Sequence, residues 1–546
     1  MKMKDRLMKT LLELVEVPGI SGTSSENFTA QKIYGILSEI PYFIKNPQDL
    51  ILNKIENDPL NRYFVSAIVR SQNSSDKTLI LNGHLDVVAV DDFGHLKELA
   101  FNPTKLVDRI SELGLYDEAL EDLSSGDYIF GRGTADMKFG IALNIELLRT
   151  FSERSDFKGN IIFLAVPGEE SNSEGMLGAI PYLTKLKDEL GFNYVGALVS
   201  ECCLPKVPHD KDRYVYLGSV GKVMPLFFFA GKESHVCEPF NSVSANLLAS
   251  EVNRLFEYNT EFCDSSFGET APPPLCLKQT DLKELYSVQI PLYAASYYNL
   301  LTLNMSPEQL MEKLKRICSD AFESALNSIN KSKELYEKMA NIKCSSLNIK
   351  PCVMTYEELL NEVKSSYGDE FNTHLDNLIS NWMDEKLDNQ TIAIKIIKET
   401  YDKYPNKVPM IVIGFAPPYY PDRHINGEAA AHVKFLDAVD KAINEASNKH
   451  NVVIKKDNYF MGISDLSYTG LSDANSSEIN VLSSNMLSSK INYNLPLENL
   501  KKLDIPGAVI GGFGKDFHKY TERLNISYSF NVVPDIYEDI IYSLLK

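Results

Sequence analysis

The stretch GNIIFLAVPGEES, residues 159–171, runs seven apolar or nearly apolar positions into a Pro-Gly turn and then sets Glu169 beside Glu170. An apolar run of that length without polar alternation predicts a strand buried on both faces, as in the parallel sheets of α/β proteins. Two other stretches repeat the design, KTLILNGHLDVV (77–88) and YVGALVSECCL (194–204), each ending an apolar strand on polar residues. Between them MKFGIALNIELLRTFSE (137–153) has the spacing of a helix packed on a sheet. The alternation predicts an α/β architecture with a mostly parallel sheet. Ligands gather at the carboxyl ends of such strands, and His84, Asp86, Glu169, Glu170 and Glu201 all fall there.

The chain has 546 residues, 44% of them hydrophobic, enough to bury more than one core. Its 55 basic and 74 acidic residues give a net charge of −19. With no basic cluster, that charge argues against nucleic acid and against anionic membrane surfaces as partners. The N-terminal MKMKDRLMKTLLELVEVPGISG reads as an amphipathic helix rather than a leader, and no run reaches the ~20 apolar residues of a membrane span. A cytoplasmic location is the expectation. The eight cysteines are scattered without Cys-x-x-Cys pairs and read as reduced thiols.

After Gly218 and Gly221 the texture changes. KVMPLFFFAGKES (222–234) and AASYYNLLTLNMS (294–306) read as strands, and NSVSANLLASEVNRLF (241–256) as a helix. A long helix follows from Ser306 as N-cap, and SSLNIKPCVM (345–354) reads as a returning strand. Residues 222–355 are therefore expected to form an inserted α+β unit of two layers, with 1–221 and 356–546 making the main domain. The charged, helix-rich stretch 356–404 is left unattributed. VPMIVIGFAPPYYP (408–421) resumes a buried strand.

The chemistry lies in residues that are modest singly and informative together. NGHLDVV places His84 and Asp86 two apart on a strand end, on one face, and a metal-binding imidazole commonly has its second nitrogen oriented by such a neighbour. FGRGTADMKFG sets Asp136 in a glycine-flanked loop, VSECCLP adds Glu201, and GGFGKDFHKYTE adds His518. Two divalent ions sharing an activated water need a bridging carboxylate and a His with a carboxylate on each side. Asp136 suits the bridge. One further carboxylate must stay off the ions to take the water's proton, and adjacent glutamates on a turn point in different directions, so one can ligate while the other acts as base.

The series NGHLDVV, GRGTADMKFG, PGEES, SEC and FGKDFHKY resembles the metal-dependent peptidase and deacylase family of aminoacylase, carboxypeptidase G, acetylornithine deacetylase and succinyl-diaminopimelate desuccinylase. FAPPYYP and GISDLSYTG, with the chain length, look closer to the RocB-like branch, associated with arginine utilisation. The resemblance implies a phosphorylase/hydrolase-like catalytic domain with an inserted lid at 222–355. It implies that His84 and Glu201 hold one metal, Glu170 and His518 the other, and that Asp136 bridges. Glu169 becomes the general base, Asp86 orients His84, and the peptide after Asp136 is cis. His235, in GKESHVCEPFNSVSAN, becomes the group that polarises the scissile carbonyl, supplied in many relatives by the partner of a lid-mediated homodimer. The family's carboxylate-binding arginine has no obvious counterpart, since 222–355 contains only Arg254 and Arg316, both within helices.

These readings lead to an amidohydrolase that cleaves a small peptide or N-acyl amino acid with two divalent ions, zinc first and cobalt or manganese as alternatives. The competing reading is a catalytically silent sensor that binds a metal or an amino acid on the same fold. Nucleotide binding is disfavoured, because GRGTAD lacks the third glycine of a dinucleotide fingerprint and GGFGKD has Asp516 where a phosphate loop needs Ser or Thr.

Overall fold

A computed structural model describes residues 2–73, 75–345, 347–425, 427–471, 480–487, 493 and 495–546. The chain divides into two compact units. The first comprises Met1–Val220, Arg423–Leu471 and Pro496–Lys546, and the second Gly221–Asp422 with Ser472–Leu495.

The first unit is built on an eight-stranded sheet. In spatial order its strands are Leu50–Lys54, Tyr63–Arg70, Asn160–Val166, Lys77–His84, Asn193–Val199, Gly507–Val509, Arg213–Tyr216 and Ile454–Asp457. Lys77–His84 is central and pairs in parallel with both Asn160–Val166 and Asn193–Val199, which in turn pairs in parallel with Gly507–Val509. Antiparallel pairing is confined to the outer strands and to one contact between Val509 and Tyr216. All seven residues of Asn160–Val166 are buried, as the unbroken apolar run requires of a strand covered on both faces. The covering helices include Met3–Val15, Lys138–Ser152, Ala430–His450 and Val533–Leu545, whose apolar faces share one core with the sheet. Lys138–Ser152 packs so closely that a Cβ on Gly140 would stand 2.4 Å from the Ser200 carbonyl oxygen.

Parallel register places the chemistry. His84 lies opposite Val166, three residues before Glu169, and Asn82 opposite Val199, two residues before Glu201. The strands thus deliver these side chains to one edge of the sheet. Short helices between residues 91 and 125 form a satellite core around Phe93, Leu96, Leu106, Ile110 and Phe130. Beside them a three-stranded sheet joins Gly514–Lys515, Arg523–Asn525 and Tyr128–Phe130.

The second unit has a five-stranded sheet in the order Leu275–Asp281, Tyr293–Thr302, Gly221–Ala230, Met410–Tyr420 and Val353–Thr355, antiparallel except for the last pair. Strand alternation divides Gly221–Ala230 between two cores. Phe227 packs on Phe256 and Tyr298, on the side of helix Ala245–Phe256. Met224, Leu226 and Phe228 join Leu359, Leu375 and Ile397 of helices Tyr356–Tyr367, Glu370–Asp384 and Asn389–Lys403. The unattributed stretch 356–404 is therefore a third layer, added to the two expected. The second boundary, expected near 355, lies at Asp422, because Met410–Tyr420 pairs with Gly221–Ala230 and so belongs to this sheet. The long helix Pro307–Ala340 opens with a capping box between Ser306 and Gln309.

One buried ion cluster holds the first unit together near its functional edge. The Arg62 guanidinium, 2% exposed, donates to Asp58 at 2.7 Å, Glu26 at 3.1 Å and Glu174 at 3.0 Å. Removing it would leave the fully buried Asp58 carboxylate without its partner and the Glu26 and Glu174 carboxyl groups without their donor, so Arg62→Ala is expected to cost about 3–5 kcal/mol, read as a lower urea midpoint; a loss under about 1 kcal/mol, the scale of an exposed pair, would contradict this. Burial, then the nearby negative charges of Asp86 and Glu174, push the Glu26 carboxyl up to about 9 against the pull of Arg62. A folded-state pKa above the unfolded value favours folding fully only at pH below about 4.5, and that contribution is lost as pH rises toward about 9. Glu26→Gln, which keeps the neutral shape, is expected to flatten the decline of stability across that window; parallel slopes for the two proteins would refute the assignment.

Candidate metal centre

Strand ends and two glycine-containing loops bring the candidate residues of the first unit together. A carbonyl only accepts, so the 3.0 Å contact from His84 Nδ1 to the Asp86 main-chain oxygen fixes the proton on Nδ1. That leaves Nε2 facing Asp136 Oδ1 at 3.0 Å and Glu201 Oε2 at 3.3 Å, with Glu169 Oε2 at 4.0 Å. The second imidazole approaches from the opposite end of the sequence. His518 Nε2 stands 3.1 Å from Asp136 Oδ2 and 3.1 Å from Glu170. Asp136 therefore offers one oxygen to each histidine. The peptide between Asp136 and Met137 is cis.

Asp86 acts on both sides of the centre. Its main-chain oxygen, nearer than its carboxylate at 3.6 Å, orients His84, while the carboxylate accepts the backbone N–H groups of Glu169 and Glu170 at 3.2 Å each. The turn that sets the two glutamates side by side is thus held from beneath. His235 lies in the second unit, on the exposed segment after Ala230, where its Nδ1 accepts the Cys237 N–H at 3.2 Å and its main chain bridges to Gln289. Arg254 and Arg316 lie in helices, paired with Glu251 and Glu261.

The electrostatics explain what the cluster needs. Burial pushes Glu169 well up and Glu201 up to about 7, and their carboxylate neighbours add to the effect. Hydrogen bonds donated to Asp136 and Glu170 raise His518 to about 10, and Asp136 is held below the usual carboxylate range by the two histidines against its burial. The acids outnumber the bases in a dry site, so positive charge belongs among them. The donor set fits divalent ions. Nitrogen and oxygen donors about 2.1 Å from a shared ion stand about 3.0–3.4 Å from one another, and the contacts of each imidazole with its carboxylates span 3.0–3.3 Å. Among the described residues, His84, Asp136 and Glu170 each offer a ligand atom within 4.8 Å of the other two.

Three supporting residues were not singled out from the sequence. Glu522 accepts the backbone N–H groups of Ala135 and Asp136 at 3.2 Å and pairs with Arg132 at 2.8 Å, so it braces the Asp136 loop. Lys138, 1% exposed, donates to the Val17 and Pro18 carbonyls and ties that loop to the N-terminal segment. Asp465 is buried and accepts from Asn82 Nδ2 at 3.3 Å, on the strand that ends in His84; burial and the Asp86 charge push it up to about 7. Glu522 falls within the quoted GGFGKDFHKYTE and Asp465 within GISDLSYTG, but only their burial and partners reveal a role.

Comparison with known proteins identifies the family. The sequence model of Peptidase family M20/M25/M40 matches residues 80–503. The chain is 34% identical over 546 residues to the uncharacterized protein YqjN of Bacillus subtilis, covering 100% of this chain and 97% of that one. It is 29% identical over 545 residues to protein RocB of the same organism, covering 99% and 95%. The fold is also similar to that of a tripeptidase from Staphylococcus aureus, with a TM-score of 0.52 at 15% identity, covering 99% of this chain and 98% of that one. The chain belongs to Peptidase family M20/M25/M40 and is a metal-dependent hydrolase.

Proposed function

We propose that the protein hydrolyses the amide bond of a small peptide or N-acyl amino acid, with His84 and Glu201 holding one divalent ion, Glu170 and His518 a second, and Asp136 bridging them. The observation that carries this reading is the placement of Asp136, one oxygen on each imidazole. Zinc suits the His and carboxylate donors, with cobalt or manganese as alternatives. Bound ions would supply an acidified water and a polarised carbonyl. Glu169 takes the proton: it stands beside the ligands, 4.0 Å from His84 Nε2, without closing on either imidazole as Glu170 does. Asp86, through the two backbone N–H groups, keeps base and ligand apart. Glu169 then returns the proton to the leaving nitrogen.

The second unit is proposed as a lid that presents His235 to the substrate carbonyl. Its edge strand Leu275–Asp281, largely exposed, supports homodimerisation through that unit. With Arg254 and Arg316 engaged on helices, a substrate carboxylate is recognised by other groups. A role in arginine or amino-acid breakdown follows from the RocB-like resemblance.

The adjacent glutamates give the direct test. Glu170→Ala is expected to lower zinc content and turnover together. Glu169→Ala should keep both ions and lose roughly 10²–10⁴-fold in turnover, and Glu169→Gln nearly as much. Metal content and a hydrolysis screen over dipeptides and N-acyl amino acids, run on the same variants, read this out. Full activity and full metal in both alanine variants would reduce the pair to a solvated turn. In addition, zinc at about a hundredfold over its Kd should stabilise the wild type by about 2.7 kcal/mol, seen as a raised Tm that a chelator reverses; an unchanged Tm would count against any ion site here.

A further inference from the structure

His518 is the exposed member of the centre. Its side chain is 52% exposed, against 9% for Asp136 and 7% for Glu170, so packing does not fix it. A ligating imidazole works only when its surroundings hold it in place. Its loop also turns sharply: Asp516 at φ 56° and His518 at φ 62° both occupy the left-handed region, which residues other than glycine adopt uncommonly and at some cost.

The contacts that hold the loop converge on one oxygen. Asp516 Oδ2 accepts from Arg523 Nη1 at 2.5 Å, from Thr521 Oγ1 at 2.9 Å, and from the Tyr116 hydroxyl. Arg523, whose side chain is fully buried, is itself held by Asp122 at 2.7 Å, and Lys515 ties Asp122 and Glu118 at 2.8 Å each. Asp122 and Glu118 lie on helix Asp117–Ser125, and Tyr116 immediately precedes it. The segment between the His84 strand and the Asp136 loop therefore reaches across to grip the loop of His518.

We infer that Asp516, clamped by Arg523 and Tyr116, is a positioning residue that aims His518 at Asp136 and Glu170 and so sets the affinity of the ion those residues hold. The inference rests on the two-ion reading given above. It assigns a job to the helical segment before Asp136: without it, the half-exposed histidine would swing into solvent while the buried His84 side kept its geometry. The two ion positions are thus secured by different means, one by burial and one by a clamp.

Zinc titration of the full chain by calorimetry, after stripping with a chelator, separates the two. The wild type should take up two equivalents. Asp516→Asn keeps a residue tolerant of the left-handed backbone but removes the charge Arg523 grips. It should leave the first equivalent within about threefold and weaken the second about 10 to 100-fold, the usual effect of losing support behind a ligand. Tyr116→Phe, which deletes one donor, should weaken the second equivalent in the same direction by less, and answers the question if Asp516→Asn does not fold. Two equivalents in the wild type with an unchanged second equivalent in the variants, or equal weakening of both, overturns the clamp alone. Fewer than two equivalents in the wild type overturns the two-ion reading and the clamp with it.

Discussion

Asp136 faces two imidazoles at once, His84 at 3.0 Å and His518 at 3.1 Å, and most of the first unit's construction serves that arrangement. A carboxylate buried among other carboxylates is stable only where positive charge is supplied, and here it is supplied from two directions. His84 comes from the end of the central strand, with its tautomer set by the Asp86 carbonyl. His518 comes from a loop near the end of the chain. Between them Glu522, paired with Arg132, holds the backbone of the Asp136 loop and so fixes where its carboxylate stands.

The pair Glu169 and Glu170 shows how one short turn sends two adjacent carboxylates to different places. Both main-chain N–H groups are fixed on the Asp86 carboxylate, yet Glu170 closes to 3.1 Å from His518 while Glu169 points toward the His84 side at 4.0 Å. Arg62 sits behind this turn through Glu174, and a Cβ on Gly168 would meet the Glu174 carboxylate at 2.5 Å and the guanidinium at 3.0 Å. With φ at +79° and those two charged groups standing where a Cβ would go, position 168 favours glycine, which accounts for the Pro-Gly turn ahead of the glutamates.

Much of this was legible in the sequence because parallel strands are buried on both faces and end where ligands collect. GNIIFLAVPGEES, NGHLDVV and VSECCLP announced both their strand and their functional end, and the glycines around Asp136 and His518 marked loops with unusual backbone. What stayed hidden depends on partners rather than on local pattern. Met410–Tyr420 is a buried apolar strand that fits either sheet, and nothing in its residues says that it pairs with Gly221–Ala230. The helices between 356 and 404 present a narrow apolar face under a charged exterior, so they read as unattached until Leu226 and Phe228 are seen against them. Glu522, Asp465, Arg62 and Arg523 look like ordinary charged residues in sequence, since the burial of such a group is visible only through the distant partners that meet it.

The central claim is that Asp136 joins two divalent ions. The most direct measurement is anomalous diffraction at the zinc edge from crystals of the zinc-loaded protein. The account predicts two peaks about 3.5 Å apart, one between Asp136 and the His84–Glu201 side and one between Asp136 and the Glu170–His518 side. A single peak, or peaks that leave Asp136 uncontacted, would contradict it.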